Sequence, residues 1–169
     1  IRKTRIVVTG GNGFIGANLV RKLCSKKNDI IIFARDISHP FLKGTGVKLI
    51  KGDIRDYESV LKAMKGADYV YHLAACTLSS PKYRKEIFGI NVEGTENVMK
   101  ACLASNVKKV VNVSSSAVFG FSRNKKRLNE MNSLDFKDNL YAQSKKLAED
   151  KVNYFASKGL NATTINPSY

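Results

Sequence analysis

Cysteine is scarce, and the three present, Cys24, Cys76 and Cys102, form an odd set with no C-x-x-C pair. That pattern argues against a disulfide framework and a thiolate zinc site, and for a reducing compartment in which a thiol packs as a small hydrophobe. Only two histidines occur, His39 and His72, far apart and without ligand spacing, so no metal is expected. The longest purely apolar run is Ile30-Ile31-Ile32-Phe33-Ala34, far short of the roughly 20 residues a membrane-spanning helix needs. No charged stretch followed by an apolar core opens the chain, so no secretory leader is read and the expected location is cytoplasmic. The first residue is Ile1 rather than Met, which suggests trimming upstream. Fixed-period repeats and low-complexity tracts are absent.

Acidic residues are also few. Fourteen stand against 29 Lys and Arg, giving a net charge of +15 and a pI near 9.8. Such an excess favours anionic partners, or it is simply a lysine-rich solubilising surface. The basic clusters at 82–85 and 123–127 do not alternate with aromatics as a single-strand-binding surface would, so nucleic acid is disfavoured as a partner.

What is present is the balance of one globular domain over 1–169, with 43% hydrophobic and 25% charged residues. Short apolar runs at 5–9, 30–34, 47–51, 69–73, 109–114 and 161–166 read as strands. Helical patterns lie between them over about 14–25, 57–64 with Asp56 as cap, 86–105 and 140–158. Strands that are apolar throughout, such as 30–34, suit a parallel sheet covered on both faces. The alternation predicts an α/β fold of βαβ units with right-handed crossovers. The polar stretch over 121–139 is long for a connection in a compact domain, which marks it as functional or mobile.

Between the first strand and first helix lies Thr9-Gly10-Gly11-Asn12-Gly13-Phe14-Ile15-Gly16. Gly10 suits a tight turn at positive φ, Gly13 a close approach of pyrophosphate, and Gly16 close helix packing. The N–H groups and dipole of the helix start, at Phe14 and Ile15, would then face phosphate. A tight βα turn is the plain alternative. At the end of strand two, Ala34 and Arg35 stand where an NAD site places an acid, and a guanidinium pairs bidentately with a 2′-phosphate. Asp36 serving the ribose hydroxyl is the other reading. The cofactor is read as NAD(P), with NADP slightly favoured over NAD.

Tyr141 and Lys145 lie four apart on a predicted helix, so phenol and ammonium share one face. A cation beside a phenol lowers its pKa from near 10 toward the working range of a general acid–base. Ser114-Ser115-Ser116 ends the fifth strand at its carboxyl edge, where ligands bind in such sheets.

The chain resembles the extended short-chain dehydrogenase/reductase family, the NAD-dependent epimerase/dehydratase group. The resemblance rests on T-G-G-N-G-F-I-G at 9–16, G-D-I-R-D at 52–56, H-L-A-A at 72–75, N-V-E-G-T at 91–95, V-S-S-S-A-V-F-G at 113–120 and Y-A-Q-S-K at 141–145. It implies a Rossmann-type doubly wound parallel sheet with helices on both faces. It also implies that Asp53, with Ile54 beside it, accepts from the adenine amino group, and that Leu73, Ala74 and Ala75 line the cofactor. Tyr141 would be the acid–base and Lys145 would hold the nicotinamide ribose. The catalytic hydroxyl would fall on Ser115, with Ser116 as the alternative register. Asn91 resembles a helix asparagine that supports the active site, or it satisfies helix-start backbone groups.

The missing acid after strand two, and Asn166-Pro167-Ser168 where sugar-nucleotide members carry Arg-Pro, resemble the dihydroflavonol reductase-like and sterol dehydrogenase-like branch. The family continues into a further strand and a small substrate domain that this chain does not contain. The expected function is oxidoreductase or epimerase chemistry on a small-molecule substrate, either a nucleotide-sugar or a ketone or alcohol. The alternative is a non-catalytic dinucleotide-sensing or RNA-binding member of the same fold. The run at 123–127 would favour an anionic substrate if it rims the site; otherwise it is a solvated charge run. A homodimer through the helices near 86–105 and 140–158 is expected from the same resemblance.

Overall fold

The computed structural model describes residues 2–24, 28–38, 45–120 and 139–168. Among them, the β-branched and aliphatic runs form β1 (Arg5–Thr9), β2 (Asp29–Ala34), β3 (Lys48–Lys51), β4 (Tyr69–His72), β5 (Lys109–Val113) and β6 (Ala162–Ile165). All pairings are parallel, in the order β3-β2-β1-β4-β5-β6. The order reverses between β1 and β4, and in such sheets the crevice beyond the carboxyl ends at that reversal is where ligands bind.

Side chains alternate across each strand, so the apolar β1 feeds two cores. On one face Val7, Phe33, Val70 and Val110 pack with Val60 and Met64 of α2 (Tyr57–Met64), Val98 and Met99 of α4 (Gly94–Ala104), and Val152 and Phe155 of α5 (Leu140–Ser157). On the other, Ile6, Val8, Ile30 and Ile32 pack with Val20 of α1 (Phe14–Cys24). Burying each such aliphatic or aromatic side chain is worth about 1.5–3 kcal/mol, which is why the sheet is rigid enough to hold a site at its edge. Asp56 caps α2 by accepting from the N–H groups of Glu58 and Ser59, and Asn139 caps α5 by accepting from Ala142 N–H at 2.9 Å.

One expectation is corrected. The single helix read over 86–105 is composite: a 3-10 turn at Pro81–Tyr83, α3 (Arg84–Phe88), a π-helical turn at Gly89–Glu93, then α4. Pro81 suits a first helical position because it has no N–H to leave unpaired. The wide π turn adds a residue and carries Asn91 into the interior, which an apolar 3.6 period does not register. A 3-10 turn at Ser116–Phe119 was also unread. The expected helix end at 25, His39, the connection from 121 to 138 and its basic run at 123–127 lie outside the described residues. Among the described residues, no helix is long and apolar enough to cross a membrane.

Candidate functional site

The β1–α1 turn is built on missing side chains. Gly10 adopts φ +67°, and a Cβ there would lie 2.6 Å from Ala74 N, so both backbone angle and space demand glycine. A Cβ on Gly16 would strike Gly10 O and Gly11, which lets α1 pack directly on the turn. Gly13 is different: a Cβ there meets only Gly10 O at 3.3 Å, and the residue faces solvent. Packing therefore leaves the outer side of Gly13 open to a ligand. Phe14 is 87% exposed although it opens a helix, so the first turn of α1 offers its unpaired N–H groups and positive dipole end outward.

Two adjoining cavities meet at this turn, sharing Gly10, Gly13, Leu73 and Ala75. The first, about 250 Å³, gathers Arg35, Asp53, Ile54 and Ala74 with those four. The second, about 440 Å³, gathers Phe14, Ile15, Gly16, Ser115, Tyr141 and Lys145 with them. Ser115, Tyr141, Lys145 and each residue expected to bind the cofactor thus line one or the other, whereas Asn91 lines neither. Ser116, the alternative register, does not line them either; its N–H donates to Pro167 O at 2.9 Å. The two cavities meet over the glycine turn and the start of α1, at the carboxyl ends of the strands, where ligands bind in such sheets.

In the first cavity Arg35 extends outward, with its guanidinium 3.9 Å from Glu86. Neighbouring Asp36 has one carboxylate oxygen taken by the Ser38 N–H at 2.8 Å and hydroxyl at 2.6 Å, and its carbonyl accepts from Asn12 Nδ2. Both Asp53 oxygens accept from Arg55, whose side chain folds back onto them with three contacts and whose backbone N–H adds a fourth at 2.9 Å. These hydrogen bonds, opposed in part by burial, hold the Asp53 carboxyl below its ordinary range. An amino group arriving at Asp53 would join or displace a contact with Arg55. Asn97 Nδ2 fixes the same turn by donating to the carbonyls of Ile54 and Arg55, each at 3.0 Å.

In the second cavity Lys145 is almost fully buried and donates to Val113 O at 2.8 Å, at the end of β5. Burial pushes its pKa down to about 8, with Glu149 partly opposing the shift. Ser115 Oγ accepts from Ala117 N–H at 3.2 Å, a contact that leaves the hydroxyl hydrogen to donate elsewhere. Asn112 Oδ1 on β5 and Ser114 Oγ, one residue beyond its end, are buried without a hydrogen-bond partner among the described residues.

Asn91 supports this region from behind. It accepts from Cys76 N–H at 2.7 Å and donates to Cys76 O at 2.9 Å and to Ser144 Oγ at 2.8 Å. Ser144 in turn donates to Tyr141 O at 2.8 Å. Thr9, His72, Thr95 and Ser144 were not read as site-related, although each is a letter of a motif quoted above. Their signal was present; their contacts link positions up to 65 residues apart, which no local pattern displays.

Residues 6–169 match the profile of the NAD dependent epimerase/dehydratase family. The chain is 32% identical over 164 residues to sterol demethylase protein B of Methylococcus capsulatus, covering 96% of this chain and 50% of that protein. It is 30% identical to a putative dihydroflavonol 4-reductase of Synechocystis, covering 95% of this chain and 48% of that one. The crystal structure of a short-chain dehydrogenase/reductase superfamily protein from Agrobacterium tumefaciens with bound NAD superposes with a TM-score of 0.84 at 26% identity, over 96% of this chain and 48% of that one. The chain spans about half the length of these relatives.

Proposed function

The chain belongs to the NAD-dependent epimerase/dehydratase family, and from that premise we propose that it is the dinucleotide-binding part of an NAD(P)-dependent oxidoreductase. Its substrate would be a ketone or secondary alcohol. The observation that carries this reading is the convergence of Ser115, Tyr141 and Lys145 on one cavity that shares its wall with the glycine turn. A cytoplasmic setting fits the three free cysteines.

The bound nicotinamide supplies the hydride donor or acceptor. The protein's own groups do the rest. The Gly13 backbone and the first turn of α1 bind the pyrophosphate. Arg35, already extended and only loosely paired, is drawn to a 2′-phosphate, which favours NADP over NAD and a reductase over an epimerase that retains its cofactor. Ser115 donates its hydroxyl hydrogen to the substrate oxygen, and Tyr141 moves a proton to or from that oxygen. Lys145, mostly cationic at neutral pH, favours the phenolate and orients the ribose. The names of the sterol- and dihydroflavonol-related proteins support a ketone or alcohol substrate over a nucleotide-sugar.

The test is turnover of NAD(P)H against a panel of ketones and nucleotide-sugars with wild-type protein and Tyr141→Phe. The substitution should lower kcat by about 10²–10⁴ while NAD(P)H affinity stays within twofold. Equal turnover by both proteins would remove Tyr141 from the chemistry.

A further inference from the structure

Beneath both cavities runs a buried chain of hydrogen bonds. Ala74 N–H lies 3.3 Å from Thr9 Oγ1, and Thr9 Oγ1 lies 2.7 Å from His72 Nδ1. His72 Nε2 lies 2.9 Å from Thr95 Oγ1, and Thr95 Oγ1 lies 2.6 Å from Asn91 O. From Asn91 the side chain continues to Ser144 and so to the Tyr141 carbonyl.

The direction of every hydrogen in the His72 segment follows from its two ends. The Asn91 carbonyl can only accept, so Thr95 spends its single hydrogen there and can only accept from His72. Nε2 of His72 therefore carries the proton. Burial and the nearby Lys145 charge push the imidazole pKa down to about 3, so the ring is neutral and Nδ1 must accept from the Thr9 hydroxyl. Thr9 Oγ1 then accepts from Ala74 N–H, which can only donate. Every group is satisfied in one direction, and neither end can reverse. Such a chain cannot pass a proton along itself; it can only fix the distances between its members.

Those members sit on opposite sides of the proposed reaction. Thr9 precedes the glycine turn and Ala74 lines the first cavity, whereas Asn91 and Ser144 brace the helix that carries Tyr141 and Lys145. We infer that His72 is a positioning residue that couples the dinucleotide turn to the Tyr141 helix through Thr9, Thr95, Asn91 and Ser144. This rests on the cofactor reading above for its purpose, but the coupling itself is a property of the protein alone.

The experiment uses nitrogen-15-labelled protein, full chain, with Thr9→Val, which removes one hydroxyl without changing shape, and Thr9→Ser, which restores it. In cofactor-free wild type, long-range proton–nitrogen spectra should show His72 as the Nε2–H tautomer. Thr9→Val should shift the Tyr141 and Ser144 amide signals at the far end of the chain of hydrogen bonds, and Thr9→Ser should return them. NADH and NADPH affinity should fall about tenfold in Thr9→Val and stay within about twofold in Thr9→Ser. An Nδ1–H tautomer, or amide shifts that end at His72, would overturn the coupling. Wild-type protein that binds neither nucleotide would instead overturn the cofactor reading, with the cofactor-free spectra still deciding the coupling.

Discussion

Replacing Lys145 by methionine is expected to stabilise the protein at neutral pH. The ammonium is buried, and its pKa falls from the ordinary 10.5 to about 8. That difference corresponds to roughly 3 kcal/mol spent at pH 7 on holding the charge inside. Methionine gives up the bond to Val113 O, which returns about 1 kcal/mol, so a net gain of about 2 kcal/mol remains. The gain is pH-dependent in a defined sense. Between pH 8 and 10.5 the unfolded chain still holds a proton on Lys145 that the folded protein has released, so wild-type stability rises with pH through that window. By pH 10 the penalty has shrunk to under about 1 kcal/mol, and the advantage of methionine disappears. Burial raises the Cys102 thiol above its ordinary 9.0, which works in the opposite direction in alkali, but that contribution cancels between the two proteins. Urea denaturation of both proteins at pH 7 and pH 10, followed by circular dichroism, reads the difference. A Lys145→Met variant that is less stable than wild type by the same amount at both values would refute the reasoning.

Three further outcomes follow from the same geometry. His72, with a folded pKa near 3 against the ordinary 6.5, makes the fold lose about 1.4 kcal/mol per pH unit below 6.5. Asp29, Asp53 and Asp68, all held below 3.8, lose their contributions only in stronger acid, so a urea series from pH 6.5 to 4.5 should slope in wild type and flatten in His72→Gln. Gly10→Ala should lose about 2–4 kcal/mol, from the left-handed backbone and the clash with Ala74. Gly13→Ala, whose Cβ meets only Gly10 O at 3.3 Å, should stay within about 1 kcal/mol of wild type yet weaken nucleotide binding at least tenfold.

The parallel sheet was legible because its central strands β1 and β2 are apolar on both faces and because strand and helix patterns alternate along the chain; the edge strands β3 and β6 are half-exposed and carry a weaker signal. The candidate site was legible where geometry restricts residue type: Gly10 by the positive φ of its turn, and Tyr141 and Lys145 by a four-residue spacing that puts both on one helix face and, in the fold, on one cavity. Three features stayed hidden. The π turn around Asn91 breaks helical periodicity by a single residue while its flanks remain apolar, so the segment reads as continuous helix. The Thr9–His72–Thr95 chain depends on parallel pairing of β1 with β4 and on where α4 crosses them, and those contacts exist only after folding. The Asp53–Arg55 clasp was likewise unread, although the two residues are adjacent but one, because a surface Asp-x-Arg pair is common and its closure depends on the turn that Asn97 holds.

The most direct test of the account is a titration of the protein with NADPH and, separately, NADH, followed by nicotinamide fluorescence, which the absence of tryptophan leaves unobscured. The account predicts about tenfold tighter NADPH binding, lost in Arg35→Ala. Tighter NADH binding would contradict the assignment of Arg35 to the 2′-phosphate, and binding of neither would contradict the dinucleotide site itself.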